Sequence, residues 1–221
     1  MIRFLLILLS AATGYCLGSV SSGFLVAKAF GQIDIRSHGS GGTGMTNVMR
    51  TLGWLPSFLT FGGDVLKGVL GAYLGKLIAG DIGMHIGGVM AIVGHNWPLF
   101  FGFKGGKGMS TSLGYILIAD WRIALILLGI QVIIVVISGL MSLASVTTAI
   151  LLIALNVLFH PGNWMFIVFG IMTSFLALYS HRKNLERLSK GTENKLDARK
   201  ISQISERVLK KLKDRSKKSH E

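Results

Sequence analysis

Charge is what this chain has least of. Only 15% of its 221 residues are Asp, Glu, Lys or Arg, where a soluble domain carries about 25%. The charge present is gathered at one end: from His181 onward lie 14 of the 23 Lys and Arg and 6 of the 10 Asp and Glu. A chain that is 51% hydrophobic and has so little charge over residues 1–180 is not an ordinary soluble domain. It reads as an integral membrane protein with a basic tail. A single cysteine, Cys16, excludes an intramolecular disulfide framework and reads as a small apolar side chain in a membrane helix. Three prolines are few, and 29 glycines are many, which suits helices packed at close range. Also missing are a metal-ligand cluster, a dinucleotide glycine pattern, a serine elbow and a His-x4-Asp acyltransferase motif, so no metal site is expected. The start, MIRFLLILLSAATGYCLG, has the outline of a signal peptide. Its apolar character runs on to about Ala29, which favours a retained first membrane helix.

A membrane-crossing helix needs about 20 mainly apolar residues. Candidate spans are roughly 3–26, 54–79, 82–101, 109–120, 121–140, 143–160 and 163–180. The segment 109–120 is too short to cross alone unless it begins inside the protein. His160-Pro161-Gly162-Asn163 is a turn between the last two spans. The expected fold is therefore all-α and polytopic, with about seven transmembrane helices. The expected division is a seven-span membrane domain, 1–192, and a basic tail, 193–221. Positive residues favour the cytoplasmic side, so the 14-cation tail places the C-terminus in the cytoplasm and the N-terminus outside. Every glycine- and lysine-rich stretch then falls on the cytoplasmic face.

Three polar stretches carry the chemistry. In Phe103-Lys104-Gly105-Gly106-Lys107-Gly108, glycine amides can converge on an anion and two lysines add charge. Ser110 and Thr111 follow where the next helix begins, adding hydroxyls and a helix N-terminus. Spacing excludes a Walker A loop. An ordinary basic loop is the bland alternative, and His95, in a His-x-x-Pro turn leading into the stretch, shifts the balance toward an anion site. The second stretch, Asp34 to Arg50, offers Ser40, Thr46, Asn47 and Arg50 among four glycines, which are groups suited to orienting a phosphate monoester. A flexible polar loop is its alternative. In the third, Ser180 to Glu193, His181 and Asn184 stand three apart and share a helix face, while Glu193 can brace a nearby cation. Basic residues after a final span are also common without any special role. Asp64 and Lys67 form an i,i+3 acid–base pair within apolar sequence, which marks either function or a mutually neutralised structural pair. Beyond 194, Leu196, Ile201, Ile204, Val208 and Leu212 recur at helical intervals among cations, as in a basic amphipathic helix on an anionic leaflet.

Together these stretches resemble the bacterial acyl-phosphate:glycerol-3-phosphate acyltransferase family over nearly the whole chain. The resemblance rests on Asp34-Ile-Arg through Gly39-Ser40-Gly41 with Thr46-Asn47 and Arg50; on Gly94-His95, Pro98, Phe103 to Gly108 and Thr111; on His181-Arg182, Asn184, Arg187-Leu188, Gly191 and Glu193; and on Asp64 to Gly68. Gly42 and Met45 depart from it, standing where the family usually has asparagine and alanine. The resemblance implies a multi-pass protein of the bacterial inner membrane with its active site facing the cytoplasm. It further implies transfer of a fatty acyl group from acyl phosphate to the 1-hydroxyl of glycerol 3-phosphate, giving lysophosphatidate and phosphate. Expected partners are those two substrates and membrane lipids, with no nucleic acid, metal or cofactor. Expected catalytic residues are His95, Lys104, Lys107, His181 and Asn184. Expected substrate-binding residues are Ser40, Thr46, Asn47, Arg50, Lys67, Gly105, Gly106, Gly108, Thr111, Ser142 and Glu193. Two proton acceptors stay open, His95 and an oxygen of the acyl phosphate. The competing reading is a transporter of phosphorylated small molecules, which should show internal repeats and broken segments at the membrane midplane; the sequence shows neither. A lipid phosphatase would show its own histidine and arginine signature, which is absent.

Overall fold

The structure, a computed structural model, describes residues 1–218, so the last three residues of the expected 193–221 tail lie outside it. Among the described residues every regular element is helical: α1 (Ile2–Gly18), α2 (Ser22–Gly31), α3 (Met45–Leu52), α4 (Trp54–Asn96), α5 (Met109–Ala119), α6 (Trp121–Ser138), α7 (Met141–Phe159), α8 (Trp164–Ser180), α9 (Arg182–Ser189) and α10 (Ala198–Lys218). Four helical stretches are long and apolar enough to cross a membrane: Ile2–Gly31, Trp54–Phe101, Trp121–Ser138 and Met141–Phe159. The pair α8–α9, bent by 63°, makes a fifth. Large apolar side chains on these helices, such as Ile133, Val136 and Ile137 of α6, face outward, as they must where lipid replaces water.

Glycine sets the packing at the centre. Helix α4 breaks at Ala79 and Gly80, where Gly80 takes φ 68°, and the chain folds back on itself. A Cβ on Gly75 would stand 2.2 Å from the Gly83 carbonyl oxygen, and one on Gly87 2.2 Å from that of Gly71. The arms 54–78 and 81–96 are thus antiparallel and touch backbone to backbone through glycines four apart, a contact that any side chain would prevent. Helix α1 lies against the second arm in the same way, Gly14 on Gly87 and Gly18 on Ala91. Helices α6, α7 and α8 continue the bundle in antiparallel order. Gln131 meets Ser145 and Thr148, and Ser174 donates to the Ala149 carbonyl.

Two expected helix limits shift for identifiable reasons. The span expected at 3–26 is interrupted at Ser19-Val20-Ser21, where the backbone leaves the helix and the freed Val20 carbonyl accepts a hydrogen bond from Lys67 Nζ at 2.9 Å. The span expected at 82–101 stops as a regular helix at Asn96, because Pro98 brings no N–H and disfavours helical geometry at Trp97.

Helix α10 docks on α2, α3 and the start of α4. Its Ile201 is buried, and Val208 packs on Ala27, Ile35, Val48 and Leu52. Ser205 Oγ accepts the Trp54 N–H at 3.0 Å, capping a helix whose N-cap, Gly53, has no side chain to do so. Ser205→Ala is expected to cost about 1 kcal/mol of stability, the usual worth of an N-cap. A thermal melt in detergent checks this, and an unchanged midpoint would show the cap to be dispensable.

Candidate active site

The ends of the helices bring three separate stretches of sequence together. The loop after α4 is turned sharply by Gly102 (φ 66°), Phe103 (φ 58°) and Gly108 (φ 79°). It is tied down by Phe103 N–H donating to the Pro98 carbonyl at 2.9 Å and Gly106 N–H donating to the His95 carbonyl at 3.1 Å. The Gly106 amide was expected to face a phosphate. Instead it locks the loop onto α4, because the carbonyl of His95 at the helix end needs a donor. What Gly106 supplies is space: a Cβ there would stand 2.1 Å from His95 Nε2. The amides of Gly105, Lys107 and Gly108 donate to no protein group among the described hydrogen bonds.

Lys107 reaches across to the third stretch. Its Nζ donates to Asn184 Oδ1 at 2.5 Å, and Asn184 Nδ2 donates to Glu193 Oε1 at 2.9 Å. Arg187 Nε donates to the other oxygen, Glu193 Oε2, at 2.8 Å. Burial pulls the Lys107 ammonium down to about 8; Glu193 opposes this, and Arg187 and Arg50 reinforce it. Burial also works against the charge of Glu193, but its hydrogen bonds from Arg187 and Asn184 outweigh that and hold it below the usual carboxylate range. The Ser142 hydroxyl, at the start of α7, helps hold Glu193 ionised without a hydrogen bond of good geometry. His181 is buried beside Lys107, its Nδ1 2.8 Å from the Ala177 carbonyl. Nδ1–H therefore donates there, and Nε2 is left with its lone pair.

The first stretch closes the ring. Arg50 of α3 donates to the Asn194 carbonyl at 2.9 Å, and burial lowers its pKa. Thr43 N–H donates to the Gly105 carbonyl at 3.3 Å. Asn47 accepts from Ser40 N–H and donates to the carbonyls of Ile35, His38 and Gly42. Its amide is occupied in shaping the loop. Ser40 is exposed, Thr46 half-buried, and Lys104 exposed at the loop's outer edge. At Gly42 an added Cβ would lie 3.8 Å from Ser40 Oγ and 3.9 Å from the Gly105 carbonyl oxygen. The position is open where a side chain could have stood. Met45 begins α3, and its carbonyl accepts from Ser57 Oγ at 3.2 Å.

Behind the glycine loop lies a buried ionic group. Asp64 Oδ1 is 3.0 Å from Lys67 Nζ and 3.4 Å from His95 Nδ1, with all three side chains nearly inaccessible. The acid thus stands within ion-pair range of one ring nitrogen of His95, without a hydrogen bond of good geometry, while the other nitrogen faces Gly106. Lys67 itself divides its donors between Asp64 and the Val20 carbonyl and is set back from the loop surface. Thr111 Oγ1, Ser112 Oγ and Asn96 Oδ1 are buried and unpartnered. An unpaired buried polar atom is costly, and three of them in the residues around Gly108 suit a polar occupant.

Three residues absent from the expected set join these stretches. Arg36 is held by Asp34 through several hydrogen bonds and reaches the Phe101 carbonyl at 2.8 Å; that pairing keeps Asp34 at about 2. Asn96 donates to Ser180 Oγ at 3.0 Å. Arg187 fixes Glu193. Arg187 belongs to the family resemblance but carries no expected site role, since a basic run after a final span is ordinary, and Asn96 in sequence is one more polar residue at a helix end.

The model of the family described as glycerol-3-phosphate acyltransferase matches residues 8–191, a range that stops short of α10. A glycerol-3-phosphate acyltransferase of Alkaliphilus metalliredigens is 43% identical over 192 residues, covering 87% of this chain and 95% of the relative. That of Thermoanaerobacter pseudethanolicus is 39% identical over 188 residues, covering 85% and 94%. A crystal structure of PlsY, an integral membrane glycerol 3-phosphate acyltransferase, in its glycerol 3-phosphate form superposes with a TM-score of 0.81 at 33% identity, covering 88% of this chain and 98% of that one. A second structure of PlsY, in its lysophosphatidic acid form, gives 0.79 at 32% identity, covering 88% and 97%.

Proposed function

The chain belongs to the glycerol-3-phosphate acyltransferase family, and from that premise we propose that its ring of three stretches is the acyl-transfer chamber, with acyl phosphate as donor and the 1-hydroxyl of glycerol 3-phosphate as acceptor. The protein is an integral membrane acyltransferase. The observation that supports the chamber is the closed set of contacts Thr43–Gly105, Lys107–Asn184 and Arg50–Asn194, which unites segments up to 144 residues apart. The positive-inside bias supports an orientation with this chamber at the cytoplasmic face of a bacterial inner membrane, and counting the two arms of α4 separately and α5 as a short span makes seven passes.

An acyl phosphate is a mixed anhydride and needs no further activation. The acceptor hydroxyl oxygen forms a bond to the acyl carbon, the bond from that carbon to the phosphate oxygen breaks, and phosphate leaves with the electron pair. The difficulty is to hold two mutually repelling phosphates together. Alignment of the reacting atoms is worth about 7–11 kcal/mol, and fixed cations around the leaving group add to it. In this reading Lys107 and the amides of Gly105 and Gly108 hold the departing phosphate, helped by Thr111. Lys104, at the outer edge, draws the donor in. Arg50, Ser40 and Asn184 receive the acceptor phosphate, the Nε2 lone pair of His181 accepts from a hydroxyl of the same substrate, Glu193 and Ser142 keep Lys107 and Asn184 in place, and Thr46 and Asn47 shape the first loop. His95 Nε2, which faces the loop while the other nitrogen lies 3.4 Å from Asp64, takes the hydroxyl proton. The alternative acceptor is an oxygen of the acyl phosphate itself, and an active His95→Ala enzyme would favour that. No cofactor is needed for such chemistry.

Purified protein in detergent is expected to transfer the acyl group from acyl phosphate to glycerol 3-phosphate and to leave acyl-CoA and acyl carrier protein unused. Transfer from either thioester alone would overturn the donor assignment. The pH dependence has a definite sign. Lys107 is lowered to about 8, so it is charged below that value and neutral above it. In the free enzyme kcat/KM for glycerol 3-phosphate should therefore fall as pH rises above about 8. A profile measured from pH 6 to 10 that stayed level would count against a charged Lys107 in the chamber.

A further inference from the structure

Away from the chamber, an apolar groove of about 260 Å³ runs between α10 and the junction of α3 and α4, lined by residues that include Phe30, Leu52, Trp54, Pro56, Val208 and Leu209. Its one polar lining residue, Ser205, is already engaged, accepting from Trp54 N–H and donating to the Ile201 carbonyl. Nothing in the groove can satisfy a polar ligand, so only hydrocarbon fits it. Its open side is continuous with bilayer-facing surface: Leu55 is 45% exposed, and Phe58 and Leu59, exposed one turn further along α4, carry the apolar surface on. Trp54, stacked with Phe58 at 6.1 Å, marks the interfacial level where tryptophan ends collect. On the same helix as Leu209, the side chains of Arg207, Lys210, Lys211 and Lys213 are exposed, against only Glu206 and Asp214 of opposite sign.

A hydrocarbon slot at interfacial depth, flanked by exposed cations, matches one class of molecule. We propose that the groove between α10 and α4 binds one anionic phospholipid of the surrounding membrane, its acyl chain lying against Leu52, Trp54 and Leu209 and its headgroup phosphate meeting the lysines of α10. The site is distinct from the acyl-transfer chamber and does not depend on how that chamber is read. Its occupant fastens α10 over α3, the helix that carries Arg50.

The test is retention of added lipid by the full chain in detergent, followed by native mass spectrometry with phosphatidylglycerol or phosphatidylcholine as the probe. Wild-type protein should retain the anionic lipid on the order of tenfold better, since each interfacial cation adds to the attraction. Lys210→Gln/Lys211→Gln/Lys213→Gln should bring retention down to the phosphatidylcholine level. Leu209→Asp, at a position 43% exposed and therefore tolerant of the change, should lose both lipids several-fold. Acyl transfer in lipid-free detergent serves as the folding control for both variants. Equal retention of the two lipids by wild type would overturn the site, as would unchanged retention in Leu209→Asp, which would reduce it to a charged patch. Complete displacement of phosphatidylglycerol by millimolar inorganic phosphate would overturn it too.

Discussion

Lys107→Ala is expected to lower kcat/KM for acyl transfer by at least about 100-fold, the scale on which removing one fixed stabiliser of a developing charge is felt. The expectation comes from what surrounds the ammonium. Lys107 is half-buried, hydrogen-bonded to Asn184, and close enough to Arg50, Arg187 and Glu193 for all three to act on its ionisation. It is the cation that links the glycine loop to the third stretch, so its loss removes charge from the chamber and leaves Asn184 Oδ1 without its donor. Lys104, exposed a few residues earlier and without a hydrogen bond among the described residues, provides the contrast: Lys104→Ala should weaken the apparent affinity for donor more than it slows turnover. Initial rates in detergent, on protein that remains monodisperse, decide the matter. A Lys107→Ala enzyme within threefold of wild type would remove this lysine from the mechanism.

Asp64→Asn is expected to destabilise the fold by about 3–5 kcal/mol, because it leaves a buried cation without its counter-charge. Both carboxylate oxygens of Asp64 are buried, and its partners are Lys67 at 3.0 Å and His95 at 3.4 Å. A neutral amide keeps the shape and removes the charge, so Lys67 is stranded and His95 loses the group that fixes its ring. A second variant separates structure from chemistry. Asp64→Leu/Lys67→Met removes both charges at once and should recover much of the lost stability, since a buried pair replaced by apolar residues is often neutral. Transfer should stay low, because His95 is still unanchored. Thermal midpoints and kcat measured on the same preparations test both halves. Wild-type stability in Asp64→Asn would show the pair to be idle, and full activity in the double variant would show it to be purely structural.

The legible part of this protein is the part that depends on residue type alone. Lys107, Asn184, Glu193, Arg50 and His181 could be marked from sequence because their polar stretches stand out in an apolar chain and resemble those of the family, and the structure brings all five into one cluster. Asn47 shows the limit of that logic. An amide suits a ligand and a backbone loop equally well, and the structure spends it on four loop contacts. Gly106 shows it again, since whether a backbone N–H faces a ligand or the His95 carbonyl depends on how the loop turns at Phe103, where φ is 58°. Arg187, named only as part of the family resemblance, carried no expected role because basic residues follow a last span whether or not they act.

Apolar run length and the distribution of charge were enough, from sequence alone, to establish a helical membrane protein with its polar stretches on one side, because a bilayer accepts little else. The break in the first span lay beyond that reach: the Val20 carbonyl left free there is met by Lys67, 47 positions away. The fold-back of α4 was legible as two spans, 54–79 and 82–101, but the pairing of Gly71 with Gly87 and Gly75 with Gly83 that closes it was not. Composition records which groups are present; their pairing is a matter of distance, and distances between remote residues exist only once the helices have packed.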